Sequence, residues 1–138
     1  LSVQILCEEL LLNAKEHGKG PVRTFARRDA DRIQVALLDS GPGIHVTVPR
    51  NPRLADLGGK SPSAILRMAV EEGITGTGTL GRGVGLSLLA RTIRERGGEA
   101  VLISDGGLLV QVGEVFQGPP SRYDLAGTLA AFEVEEPA

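Results

Sequence analysis

The chain has no tryptophan, one tyrosine and three phenylalanines in 138 residues. With so few rings available, a core must be packed from Leu, Val, Ile and Ala. Cysteine is almost as scarce. Cys7 stands alone, which excludes an internal disulfide and any cysteine-rich metal site. The two histidines, His17 and His45, have no second His or Cys at ligand spacing, which argues against zinc. Neither sign of charge is in excess: 15 basic and 17 acidic residues leave a net charge of −2, and no basic patch invites nucleic acid or a membrane surface. No apolar run reaches membrane-spanning length and no signal-peptide pattern precedes the first helix, so a cytoplasmic setting is expected, with no membrane within this chain. Internal repeats and coiled-coil heptads are also missing.

What remains is an apolar share of 41%, enough for one domain, residues 1–138, with a real core. The chain opens at Leu1 already inside a helical pattern, so a fragment lacking its first elements is expected.

Helix-spaced apolar residues run from Val3 to His17, with Leu6, Leu10 and Asn13 on one side, and Cys7, Leu11 and Ala14 beside them. Gly18 is the expected C-cap. Val22 to Arg28 and Arg32 to Asp39 read as a hairpin around Asp29-Ala30-Asp31, with Ile33, Val35 and Leu37 alternating against Gln34, Ala36 and Leu38. A Pro-, Arg- and Gly-rich loop follows from Ser40 to Leu57. Ser61-Pro62 then starts a helix to about Glu72. After a Gly/Thr-rich loop, a helix is expected from Val84 to Arg96, stopped by Gly97-Gly98. Strands follow at Glu99 to Ser104 and Leu108 to Val112, then a Pro-containing excursion and a last strand, Thr128 to Val134. Hairpin-linked strands with helices between them predict an α+β two-layer sandwich: a mixed, mainly antiparallel sheet with helices on one face.

Four short motifs sit at the ends of these elements. Glu9 and Asn13 share a helix face one turn apart, and a carboxylate with an amide oxygen suits magnesium, which takes hard oxygen ligands and keeps waters. Glu9 could also activate a water or a hydroxyl. Read alone, the pair is more readily an ordinary solvated acid beside a side-chain bond. Asp39 ends a strand and precedes Ser-Gly41-Pro-Gly43. An ionised carboxylate accepts only, so it can select an amine such as adenine's, and glycines let backbone approach a flat base. The same residues are also those any turn would use. Gly81-Arg82-Gly83-Val84-Gly85 runs into a helix, where crowded N–H groups and the helix dipole favour phosphate, and Arg82 could contact it directly; a plain hinge is the alternative. Gly127-Thr128 opens the last strand.

Two other glycine motifs fail. Gly58-Gly59-Lys60-Ser61 resembles the end of a P-loop, but its first glycine would fall at Leu54 and it follows a loop. Gly76 to Gly81 matches G-x-G-x-x-G without any βαβ unit around it.

As an ordered set, from Glu8 to Val134, the motifs resemble the GHKL superfamily, whose ATP-binding module has the Bergerat fold and is shared by DNA gyrase, MutL, histidine kinases and anti-sigma-factor kinases. Glu-Leu-Leu-Leu-Asn-Ala-Lys-Glu-His-Gly stands for the first motif, Asp-Ser-Gly-Pro-Gly-Ile for the second, and Gly81 onward for the third. The resemblance implies a signalling protein kinase domain using ATP and Mg²⁺, with Glu9 as catalytic base and Asn13 as the metal-holding residue. It implies Asp39 and Thr128 at the adenine, Gly41 and Gly43 beneath the base, and Gly81, Arg82, Gly83, Val84 and Gly85 around the phosphates. Residues 44–80 would form a lid. Implied partners are a protein phosphoacceptor (a sigma factor, an anti-anti-sigma factor or a response regulator) and a second copy in a homodimer, without direct contact to nucleic acid.

The Asn-Ala-x-x-His-Gly form looks closest to the anti-sigma-factor kinases. Against that, the lid, with a helix of its own, is longer than that group's, and a Phe-rich box typical of histidine kinases is missing from Ile44 to Leu80. Two other readings stay open: a nucleotide-driven switch with slow or no hydrolysis, and a degenerate interaction module. The intact Asn13, Asp39 and glycines argue against the last.

Overall fold

The structure is a computed structural model that describes residues 2–17, 21–40, 61, 63, 64, 66, 67, 70, 84–104, 107–118 and 127–136. The expected C-cap Gly18, most of the expected lid, Gly41, Gly43, Gly81, Arg82 and Gly83 lie outside them.

Helix α1 spans Val3–His17. Its N-terminus is capped by Ser2, whose Oγ accepts the Ile5 N–H at 3.2 Å. Val3, Leu6, Leu10 and Ala14, spaced three or four apart, form its buried stripe. Strands β1 (Arg23–Asp29) and β2 (Arg32–Asp39) make the expected hairpin, shifted by one residue in β1, with Ala30 taking the positive φ of the tight turn. Helix α2 covers Val84–Arg96 as expected. Leu86, Leu89, Ala90 and Ile93 point inward. Both Gly97 and Gly98 donate their N–H to the Ile93 carbonyl, which ends the helix. Strands β3 (Glu99–Ser104), β4 (Gly107–Val112), β5 (Val115–Gln117) and β6 (Thr128–Glu135) complete the sheet. Short β5 is an addition to the expected elements: Gly113-Glu114 folds it back on β4, inside what the sequence presents as an irregular excursion.

The strand order is β1-β2-β6-β3-β4-β5. Every pairing in it is antiparallel, so the parallel component of a mixed sheet is not seen among the described residues. The last strand is therefore central, joining the first hairpin to the second. Helices α1 and α2 pack on each other and on one face of the sheet. On that face Val35 and Leu37 of β2, Phe132 and Val134 of β6, and Leu102 and Leu109 from the second hairpin make a dry core of mainly aliphatic side chains. Gln111 is buried there too; its Nε2 donates to the carbonyls of Ala90 and Gly113, tying α2 to β4 with no unmet donor.

Of the helix expected from Ser61 to Glu72, residues Ser63, Ala64, Leu66, Arg67 and Val70 are described and are helical. They dock on the second hairpin: Ser63 Oγ accepts the Leu108 N–H at 3.1 Å, and the Arg67 guanidinium lies 3.7 Å above the Phe116 ring. Among the described residues, no helix is long and apolar enough to cross a membrane.

Candidate functional site

One end of the helix-covered face is polar where the rest is aliphatic. The cause is register. Asp39, the last residue of β2, pairs with Thr128, the first of β6, and Thr128 pairs with Ser104, the last of β3. Paired residues on neighbouring antiparallel strands project to the same side, so the three side chains form a row across the sheet beneath the helices. Asp39 is only 8% exposed and Ser104 is fully buried. The hydroxyls of Ser104 and Thr128 share a hydrogen bond of 2.9 Å, which satisfies a buried polar pair that would otherwise be destabilising.

Above this row stands the C-terminal half of α1. Asn13 and Ala14 from the helix, Leu37 and Asp39 from β2, Leu86 from α2, and Thr128 from β6 surround one cavity of about 20 Å³. Leu10 and Ala130 close its apolar side. The enclosed space is that of about one water molecule. Its donor set is a buried carboxylate, an amide and a hydroxyl within an otherwise apolar wall, which is the composition of a small-ligand site.

The structure thus brings together Asn13, Asp39 and Thr128, three of the sequence-expected residues. Glu9 lies one helical turn from Asn13, partly exposed, and is not among the residues lining the cavity. Val84 and Gly85 are the first two residues of α2, so the third motif does run directly into a helix start.

Two residues given no role at the site by the sequence reading matter here. Ser104 fixes the Thr128 hydroxyl, and only the strand register, which is not written locally, could have revealed it. Gly127 precedes Thr128 with φ of +93°, and a Cβ built on it would stand 1.9 Å from the Asp39 carbonyl oxygen. Its missing side chain lets the start of β6 lie against the end of β2, and its place in a Gly-Thr pair was the available signal.

Hydrogen bonds from Arg32 and Gln34 hold the Glu133 carboxyl below its usual range, and Arg91 does the same for Glu95. Burial, then the nearby Glu136, pushes the Cys7 thiol up and away from its reactive form.

Asp39 and Thr128 are the polar side chains that could contact a nucleotide's base, were the cavity wider. A magnesium ion in a nucleotide site needs only one or two protein oxygens, the rest coming from phosphates and waters. Among the described residues no three His, Cys, Asp or Glu side chains gather, so Asn13, with Glu9 one turn away, is the donor set on offer. No family model matches the sequence, and neither a curated protein nor a solved structure matches it.

Proposed function

We propose that this chain is a magnesium–ATP-binding domain of GHKL type, with the Bergerat arrangement of sheet and helices, serving a signalling protein kinase of the serine anti-sigma or histidine kind. The observation that carries this reading is the meeting of Asn13, Asp39 and Thr128 around one cavity, from a helix, a strand end and a strand start far apart in the chain. Asp39, an acceptor only, would take the adenine amine, where guanine presents a carbonyl oxygen instead. Thr128, oriented by Ser104, would sit beside the base. The Asn13 amide oxygen would hold magnesium, which supplies charge neutralisation at the phosphates. Glu9 would receive the proton of an attacking hydroxyl, and the glycine-rich start of α2 would face the phosphates. Most of the catalytic effect in such transfers is positioning and electrostatics. The enclosed space is too small for a base as it stands, so entry would require its walls to part.

The test is a thermal melt of the wild type and Asp39→Asn with ATP, ADP and GTP, with and without magnesium. At about a hundred times its Kd, a ligand stabilises the fold by about 2.7 kcal/mol. Stabilisation by adenine nucleotides alone, lost in Asp39→Asn, is the expected result. Glu9→Ala should keep the stabilisation and lose transfer of labelled phosphate to a partner. No stabilisation by any nucleotide would remove the reading.

A further inference from the structure

A carboxylate at Asp39 does not by itself choose between the purines. Guanine presents a carbonyl oxygen where adenine has its amine, but a shift within the plane brings guanine's own donors, N1–H and an amine, to the same acceptor. Adenine pairs its amine with a bare N1 that accepts. The choice therefore falls to the next polar group on the wall. That group is Thr128, which pairs with Asp39 across the β2–β6 ladder and lines the same cavity. An unconstrained hydroxyl reads either base, because its proton rotates to suit.

The Thr128 hydroxyl is constrained. Ser104 Oγ lies 2.9 Å from Thr128 Oγ1. Ser104 is fully buried and is not among the residues lining the cavity, so it acts on Thr128 from behind the wall. In the row across the sheet, Thr128 stands between Asp39 on one strand and Ser104 on the other, with strands about 4.8 Å apart. A hydroxyl placed between a carboxylate and a second hydroxyl is polarised in one direction. The negative charge draws the Thr128 proton toward the Asp39 side, where the cavity is. The lone pairs of Thr128 Oγ1 are left toward Ser104, which donates to them.

We infer that Ser104 is a positioning residue that sets purine selectivity: its buried hydrogen bond to Thr128 turns the Thr128 proton toward the cavity, to read the adenine N1 beside the amine held by Asp39. This rests on the nucleotide reading above. A Ser104 proton aimed at Thr128 Oγ1 forbids the Thr128 proton from turning back, so the hydroxyl meets the base as a donor. Reversed, the same bond would set lone pairs beside a carboxylate. Those are two acceptors, and they match the adjacent N1–H and amine of guanine. The direction of one buried hydrogen bond thus separates an adenine site from a guanine site. Without the Ser104 hydroxyl, Thr128 turns freely and the site loses the distinction.

Equilibrium binding tests it on the full chain with magnesium and three ligands: ATP, GTP, and 1-deaza-ATP, in which a C–H replaces N1. The proteins are the wild type, Ser104→Ala, Ser104→Cys and Thr128→Val, and a thermal melt of each verifies folding. The thiol of Ser104→Cys fills the serine's place with a weak donor, which covers an alanine variant that fails to fold. The wild type should prefer ATP to both other ligands. Loss of the Ser104 hydroxyl should cut both preferences about tenfold while weakening ATP itself by only about threefold, the scale of one hydrogen bond. Thr128→Val should bind ATP and 1-deaza-ATP alike. A Ser104 that serves stability alone would lower Tm and leave both ratios unchanged. That result, or a wild type that binds ATP and 1-deaza-ATP equally, would overturn the inference and leave the nucleotide reading standing. A wild type that binds no nucleotide, or prefers GTP, would remove both.

Discussion

Replacing Gly127 by alanine should damage the molecule in two separable ways. The residue has φ of +93°, outside the wells an alanine occupies without strain, and such conformations cost about 1–3 kcal/mol. A methyl group there would also stand 1.9 Å from the Asp39 carbonyl oxygen, 2.8 Å from its carbonyl carbon and 2.9 Å from the Ser40 Cα. All three are backbone atoms, so no side chain can rotate to make room. The end of β2 must move by about an ångström, and its last ladder contact with Thr128 must open. Together these predict a loss of about 3–4 kcal/mol. For a chain of this length, each kcal/mol lowers Tm by roughly 3–5 °C, so a fall of roughly 9–20 °C is expected. Gly113→Ala is the control: it has φ of +57° and nothing within 4 Å of an added Cβ. That change should cost only the left-handed backbone term, about 1–2 kcal/mol. Thermal unfolding followed by circular dichroism gives both values. Amide exchange then shows where the damage lies, with faster exchange expected at the β2–β6 end near Asp39 in the Gly127 variant alone. Equal destabilisation by the two substitutions would refute the reasoning, because the close approach would then contribute nothing.

Ile93, fully buried toward the C-terminal end of α2, should cost about 2–5 kcal/mol when cut to alanine, read from denaturant midpoints with an unchanged m-value. The Arg32–Glu133 pair predicts a pH dependence. Arg32 and Gln34 lower the Glu133 carboxyl in the folded chain, so its contribution is complete above the ordinary glutamate value of about 4.3 and is lost as pH falls through the lower folded value. The wild-type melting curve should therefore drop more steeply than that of Glu133→Gln below about pH 4.3, and run parallel to it above. Parallel curves throughout would remove the pair as a contributor.

Much of the fold is legible locally. The three- and four-residue spacing of Val3, Leu6, Leu10 and Ala14 gives α1, and the alternation through Ile33, Val35 and Leu37 gives β2, because burial imposes the period of the element on the sequence. Gly97-Gly98 marks the end of α2 for an equally local reason. The exceptions are also physical. β5 is three residues long, two of them exposed, too short for a period to register. At the candidate site, Asn13, Asp39 and Thr128 were recognisable as polar residues at the ends or on the faces of apolar elements. Ser104 was not, since a serine before a turn is ordinary.

The sequence by itself determined where helices and strands lie and which polar residues they carry to their ends, since propensity and hydrophobic period act over a few neighbouring residues. The tertiary structure alone decided that β6 passes between β2 and β3. That choice rests on hydrogen bonding and packing between segments some ninety residues apart, where no short-range pattern specifies the partner. From it follow the row of Asp39, Thr128 and Ser104 and the tight fit at Gly127.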